Sequence, residues 1–297
     1  MGIINRILYY GVIVPISLLP FPLLYALSDL LYILLYHVVG YRKKVVMENL
    51  KNSFPEKPQA ERVRIAKKFY KHLCDLTLES LKMFTISEKD ARTRMSYSGL
   101  DVAQKYYDQG KSLIIAMAHY SNWEMVAATV GQAIPHRAYA IYKPLTNQYF
   151  DKKMLASREK YGLKMIHLKQ VKRDFEKMKA ELTATHFLID QAPSYHSTPH
   201  WMNFLNQETG VLTGTERFAR DYNYPVVFLE IQKPRRGYYT CRFVDVFSDP
   251  QSTREGEITE KVTRILEAQI IEKPEFWLWS HKRWKRKRNE PKIHYER

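Results

Sequence analysis

Cysteine is scarce: 297 residues contain two, Cys74 and Cys241. Neither stands in a CxxC or Cys/His spacing, so neither a disulfide framework nor a structural zinc is expected, and a reducing compartment fits. There is no glycine-rich loop to cradle a nucleotide phosphate and no G-x-S-x-G turn to present a nucleophilic serine. Internal repeats and low-complexity linkers are missing as well. Charge is absent from Ile7 to Ser28, and Asp29 is the sole formal charge between Arg6 and Arg42. An uncharged run of that length can cross a hydrocarbon core. Pro15, Pro20 and Pro22 interrupt it, so a kinked span and a shallow, partly embedded hairpin are both open. A buried core helix is the plainer alternative. No small-residue cleavage site follows, which argues against a removed signal peptide.

Positive charge, by contrast, is abundant. The net charge is +16, and the last 17 residues, HKRWKRKRNEPKIHYER, hold eight Lys/Arg against two Glu. Such an excess suits an anionic partner: nucleic acid, anionic lipid or an acidic protein. Arg42, Lys43, Lys44 and Lys51 follow the apolar segment, against Arg6 before it. If the segment spans, that asymmetry keeps the larger part in the cytoplasm. The chain thus divides into a membrane-anchoring segment over 1–40 and one catalytic-sized domain over 41–297 with a basic tail.

Within that domain, residues 58–84 carry Val63, Phe69, Leu73, Leu76 and Leu81 at helical spacing. Apolar runs then predict strands at 112–118, 138–143, 163–167, 185–190, 225–232 and 238–246. Helices are predicted at 122–132, 147–161, 170–181, 212–222 and 256–271. Strands alternating with helices of this length imply an α/β fold, a mostly parallel mixed sheet flanked by helices. The last two strands, joined by the short KPRRG turn, should run antiparallel.

The stretch AHYSNWE, 118–124, follows the most apolar strand. His119 would sit at the carboxyl end of that strand, where open α/β sheets place ligands. Glu124 lies about 140° away from it on an ideal helix. A strand end, a turn and a first helical turn can nevertheless fold Glu124 back toward the imidazole. The competing reading is a helix cap: Ser121-Asn122-Trp123-Glu124 fits the S-x-x-E capping box. If His119 is a general base, it takes a proton from a hydroxyl while a carboxylate on its other nitrogen fixes the tautomer. With no serine elbow and no positioned cysteine, direct transfer to an acceptor hydroxyl is favoured over an enzyme ester.

Several stretches, in order, resemble the lipid A late acyltransferase family, the lauroyl/myristoyl transferases within the H-x4-D/E lipid acyltransferases. They are the apolar N-terminus with VVMENLKNSFPEK, then AHYSNWE, AIYKPLTNQYFDKKMLASREKYG, FLIDQAP, TGTERFARDYNYPVV and PEFWLWSHKRWK. Together they cover nearly the whole chain. The resemblance implies a glycerolipid-acyltransferase-like fold and transfer of an acyl chain from an acyl-carrier-protein thioester to a lipid A precursor hydroxyl. That is a step of lipopolysaccharide biosynthesis on the cytoplasmic face of a bacterial inner membrane. It implies His119 as general base with Glu124 as its partner, and a substrate-binding set of Asn122, Lys143, Arg158, Asp190 and Gln191. Arg158 would meet acceptor phosphate or developing charge, and Asp190 with Gln191 would order the pocket. The partners implied are acyl carrier protein, the acceptor lipid and the membrane, with no nucleic acid. No cofactor and no metal are expected.

The chain departs from the family pattern at three places. Lys143 stands where arginine is usual, which exchanges a bidentate contact for a point charge. Lys282 replaces the first arginine of the C-terminal signature. After DQAP, the segment SYHSTPHWMNFLNQE diverges, leaving acyl length and acceptor open. The aromatic–basic FWLWSHKRWK either lies at the membrane interface or packs as a core helix end before a solvated tail. Two rival functions remain: acyl transfer to another membrane acceptor (a lysophospholipid, aminolipid or glycolipid), and a non-catalytic basic module bound to the membrane.

Overall fold

The computed structural model describes residues 2–195 and 197–288; the end of the basic tail, 289–297, and His196 within the divergent segment lie outside the described residues. Among the described residues there are nine strands: β1 (Met95–Ser98), β2 (Leu113–Met117), β3 (Arg137–Tyr142), β4 (Lys164–His167), β5 (Thr183–Leu188), β6 (His200–Phe204), β7 (Gln207–Val211), β8 (Val226–Arg235) and β9 (Tyr238–Phe247). Helices α1 (Gly2–Leu18) and α2 (Phe21–Val39) form the apolar segment. After them come α3 (Lys43–Ser53), α4 (Gln59–Lys82), α5 (Glu88–Arg94), α6 (Leu100–Asp108) and α7 (Trp123–Ala127). Later α-helices are α8 (Gln148–Arg158), α9 (Val171–Lys177), α10 (Gly214–Tyr222) and α11 (Glu257–Glu272), with short 3-10 turns between elements.

Seven strands make one sheet in the order β1-β9-β8-β2-β5-β3-β4, and β6 and β7 pair separately. β2 lies in the middle and is buried at every position. Its alternate residues face two cores: Ile114 and Ala116 join one, Leu113, Ile115 and Met117 the other. Burial on both faces is why the sequence there is an unbroken apolar run. All pairings in this sheet are parallel except β8–β9, which is the antiparallel hairpin expected from KPRRG.

Chain direction places the site. After β2 the chain crosses to β3 on one side; after β5, the neighbour of β2, it crosses to β8 on the other. Connections that leave adjacent strands in opposite directions open a crevice at their carboxyl ends. His119 and Asp190 each lie two residues beyond their strands at that crevice.

Three strands escaped the sequence reading. β1 is only four residues long, and β6 with its turn and the start of β7 lies in the divergent segment. That hairpin turns through Leu205 and Asn206, both with positive φ (50° and 61°). A Leu-Asn turn lacks the Asn-Gly signal that announces such turns. Leu205 is held there by burial and by its N–H donating to Glu267 Oε1 at 2.6 Å.

The apolar segment lies against the domain. α2 runs antiparallel along α4: Tyr25 meets Glu79, Ser28 meets Asp75, and the Tyr36 ring lies 5.2 Å from that of Tyr70. Asp29, the lone charge of α2, pairs with Arg236 of the β8–β9 turn at 2.8 Å. The outer face of α2 exposes Leu23, Leu30, Ile33, Leu34, Val38 and Val39, and that of α1 exposes Ile3, Ile4 and Ile7.

Candidate active site

The crevice is built around Asp190. Its Oδ1 lies 2.8 Å from His119 Nδ1, while Oδ2 accepts from the His119 backbone N–H at 3.1 Å and from Trp277 Nε1–H at 2.9 Å. A buried carboxylate with this many donors stays ionised. Burial alone would raise its pKa, but His119 and the Trp277 indole outweigh that and bring it down to about 2. For His119 the balance tips the other way. Burial pushes its pKa down, yet the negative charges of Asp190 and Glu124 outweigh it, and Arg158 opposes them, leaving a net rise.

An ionised Asp190 at Nδ1 fixes that nitrogen as the protonated one and leaves the lone pair on Nε2. Gln191 Nε2 lies 3.2 Å from His119 Nε2, where an acceptor hydroxyl would have to sit. The Trp123 ring stands edge-on to the imidazole, with centroids 5.0 Å apart. His119 is 9% exposed, so the imidazole is largely shielded from solvent.

Glu124 does not hold the imidazole, as its place in H-x4-E suggests. Its carboxylate makes a two-point bridge to Arg158, Oε1 to Nη2 at 2.7 Å and Oε2 to Nε at 3.1 Å. The reason is geometric. The turn between β2 and α7 is short, and Ser121 takes a left-handed φ of 57°. That conformation aims the first turn of α7 at the end of α8, where Arg158 stands. The charge of Glu124 still reaches His119, but the contact belongs to Asp190.

Asn122, expected at substrate, is instead part of the frame. It is the cap of α7: its Oδ1 accepts from Met125 N–H at 2.9 Å, and its Nδ2 donates to Glu79 at 2.7 Å. The cap is therefore Asn122 rather than the serine of an S-x-x-E box. The turn is also held through its backbone, Ser121 N–H donating to Phe276 O at 2.9 Å. Lys143 follows the end of β3, exposed and outside the His119 group. Of the residues singled out in the sequence, then, the fold joins His119, Asp190 and Gln191 and sets Glu124–Arg158 beside them. Among the described residues no cluster of His, Cys, Asp and Glu suits a metal.

Trp277 was missed as a site residue. The aromatic–basic signature is not an interfacial ornament: Trp277 and Trp279 are 2% and 0% exposed, packed in the main core. Their cationic neighbours are also engaged. Arg283 donates to Gly210 O, Arg286 to Ser197 O, and Arg288 pairs with Glu208. The signature ties the β6–β7 hairpin and the loop after Asp190 to the back of the site. His281 adds to this, its Nε2 accepting from Ala192 N–H at 3.1 Å. A polar groove of about 720 Å³ lies elsewhere, lined by Lys51, Arg62, Gln207 and Trp284 among others, and includes none of the His119 group.

Residues 2–286 match the bacterial lipid A biosynthesis acyltransferase family. The chain belongs to that family. Among similar proteins is the lipid A biosynthesis lauroyltransferase of Escherichia coli (strain K12), 22% identical over 281 residues, which is 93% of this chain and 89% of that protein. The lipid A biosynthesis palmitoleoyltransferase of the same organism is 21% identical over 269 residues, 90% of this chain and 86% of that protein. A lipid A biosynthesis acyltransferase of Shigella flexneri matches to the same extent. This lipid A acyltransferase is an enzyme, then, and the crevice at His119 is its candidate active site. An apolar N-terminal helix long enough to cross a bilayer fits a membrane-associated enzyme.

Proposed function

We propose that the enzyme transfers a fatty acyl chain from an acyl-carrier-protein thioester to a hydroxyl of a lipid A precursor at the cytoplasmic face of the inner membrane. The observation that carries this is the Asp190–His119 pair at the carboxyl edge of the central strand, with Nε2 free to take a proton. The acceptor hydroxyl displaces the Gln191 amide, gives its proton to Nε2, and attacks the thioester carbonyl. The imidazolium that forms is stabilised by Asp190. The tetrahedral intermediate collapses with cleavage of the C–S bond, and the departing thiolate recovers the proton from Nε2–H. Atoms balance without an enzyme ester.

Arg158 is the group for an anionic acceptor. Glu124 holds its guanidinium through two bonds, which fixes the cation near His119 and lowers the entropy cost of meeting a phosphate. The net charge of +16 favours an acidic carrier protein and anionic headgroups by steering.

Residues 1–40 act as the anchor in this reading and 41–297 as the acyltransferase domain. The anchor lies in the plane of the membrane instead of crossing it. α2 is bonded along α4, whose surface carries Lys67, Lys68 and Lys71, and a helix so charged does not enter hydrocarbon. The exposed leucines, isoleucines and valines of α1 and α2 then meet the acyl chains.

The test is transfer from labelled acyl-carrier protein into membranes holding a lipid A precursor, with a lysophospholipid, an aminolipid and a glycolipid as separate arms. Product should form on the lipid A precursor and vanish in His119→Ala. Full activity in that variant refutes the mechanism, and product on another acceptor alone refutes the substrate.

A further inference from the structure

Beneath the His119–Trp123 turn lies a buried carboxylate that the transfer chemistry does not use. Glu79 of α4 is 0% exposed, and among the described residues no cation bonds to it directly. Its three donors are the Tyr25 hydroxyl at 2.7 Å, the Tyr239 hydroxyl at 2.5 Å and Asn122 Nδ2 at 2.7 Å. Burying a carboxylate costs far more than packing a leucine in the same space unless its bonds do something a leucine cannot. Burial accordingly pushes its pKa up, against the opposing pull of Lys233 and the two hydroxyls.

The three donors come from three parts of the molecule: Tyr25 from membrane-facing α2, Tyr239 from the β8–β9 hairpin, and Asn122 from the catalytic turn. A second path runs beside the first. His72 Nε2 lies 3.3 Å from Ser121 O, and its Nδ1 lies 3.3 Å from Lys233 Nζ. Lys233 pairs with Asp75, which also accepts from Ser28 of α2 and from Arg236, itself paired with Asp29. Tyr25, Ser28 and Asp29, three polar groups of α2, therefore each begin a bonded path to the turn. The hairpin makes room for this. Gly237 has φ +78°, and a Cβ there would overlap the Tyr25 hydroxyl.

We propose that Glu79 is a positioning residue that joins the membrane-facing helix to the catalytic turn. Tyr25 and Tyr239 fix the carboxylate, and the carboxylate fixes Asn122. The Asn122 cap in turn sets the start of α7, and with it the direction in which Glu124 holds Arg158 beside His119. The apolar segment is on this account a structural part of the active site as well as a tether. A free or detached α2 loosens the turn.

The experiment uses the full chain, in detergent and in vesicles of phosphatidylethanolamine and phosphatidylglycerol. Three variants are compared: Tyr25→Phe, which removes one hydroxyl; Glu79→Leu, which removes the hub; and Glu79→Gln. The last can satisfy all three partners, because its oxygen accepts from Asn122 and Tyr239 and its amide donates to the Tyr25 oxygen. Hydrogen exchange is read at the amides of His119, Ser121 and Met125, each of which is bonded in this turn. In Tyr25→Phe the exchange there should rise about tenfold while vesicle binding stays unchanged. The kcat should fall about fivefold with KM for the acyl donor within about twofold. Glu79→Leu should lose more on both readouts, and Glu79→Gln should recover most of the loss. Unchanged exchange at these amides in a folded Tyr25→Phe protein overturns the proposal, even if Glu79→Leu fails to fold. The kinetic readout rests on the acyl-transfer reading and the exchange readout does not. Loss of protection in a protein with no transferase activity of any kind therefore refutes that reading and still supports the coupling.

Discussion

Replacing Asp190 with asparagine should disable the base while leaving the shape of the site nearly intact. Oδ2 of Asp190 accepts two N–H donors, the His119 backbone and the Trp277 indole, whereas Oδ1 faces only the imidazole. Asparagine has one oxygen, and satisfying two donors with it is cheaper than satisfying one. The amide NH2 then points at His119 Nδ1, which must become an acceptor, so the proton moves to Nε2. A protonated Nε2 cannot take a proton from a hydroxyl. General-base catalysis contributes about 10²–10⁴-fold. A kcat loss of about 10³-fold is expected, equal to about 4 kcal/mol of transition-state stabilisation. KM for both substrates should change little, because both Asp190 oxygens are already bonded to His119 and Trp277.

The pH profile supplies the second readout. The folded-state pKa of His119 is raised, so the base is neutral, and active, only above that value. In the wild type kcat/KM should fall about tenfold per pH unit on the acid side, beginning above 6.5, the ordinary value. Removing the Asp190 charge leaves burial to dominate, and the acid limb of the residual activity should move to lower pH. Stability follows the same groups. Asp190, held down to about 2, contributes stability above its ordinary 3.8 that is lost as pH falls through about 2. His119, with a raised pKa, contributes stability below 6.5 that is lost as pH rises through its folded value. The assay is steady-state transfer from labelled acyl-carrier protein between pH 5 and 9. An Asp190→Asn enzyme within about threefold of wild-type kcat, with its acid limb unmoved, refutes the assignment of His119 as a base oriented by Asp190.

Arg158→Lys keeps the charge and loses the two-point bridge to Glu124, so KM for an anionic acceptor should rise about tenfold while the donor KM stays put; equal rises in both would count against an acceptor role. Trp279→Ala empties a fully buried site whose indole bonds to Pro274 O. It should cost about 3–5 kcal/mol in chemical unfolding, and a loss below about 1 kcal/mol would contradict the packing described. Gly237→Ala puts a side chain at positive φ and against the Tyr25 hydroxyl. It should destabilise by about 1–3 kcal/mol and lower the melting temperature, whereas Gly110→Ala, also at positive φ but in open space, should cost less.

Periodicity and composition made most of the scaffold readable without the structure. Six strands and the helices between them follow from apolar runs and 3.6-residue patterns, because each element buries a face set by its own sequence. The central place of β2 followed from SLIIAMA, since only a strand covered on both faces is apolar throughout. The antiparallel hairpin followed from a turn too short for a crossover. The apolar segment announced itself by lacking charge, and the ordered motifs pointed to the family that the comparison then established. β1 and β6–β7 were invisible because their stability comes from neighbours, a parallel partner in one case and a buried Leu-Asn turn in the other.

The site was legible in its members and not in its connections. His119, Glu124, Arg158, Asp190 and Gln191 could all be named from motifs. Which carboxylate holds the imidazole could not, because it depends on two strands that are neighbours in space while Asp190 follows His119 by 71 positions. Spacing along one segment favoured Glu124, which is five residues away. The left-handed turn at Ser121 and the reach of Arg158 from α8 sent that carboxylate elsewhere. The tryptophans of the C-terminal signature could be interfacial or core on sequence alone, and Trp277 and Trp279 proved to be core, since burial is a property of the surroundings. Sequence by itself determined which surfaces must be buried and which residues can do chemistry. Only the tertiary structure decided who faces whom, because in a parallel sheet the partners of a strand end are set by crossover connections that no local pattern encodes.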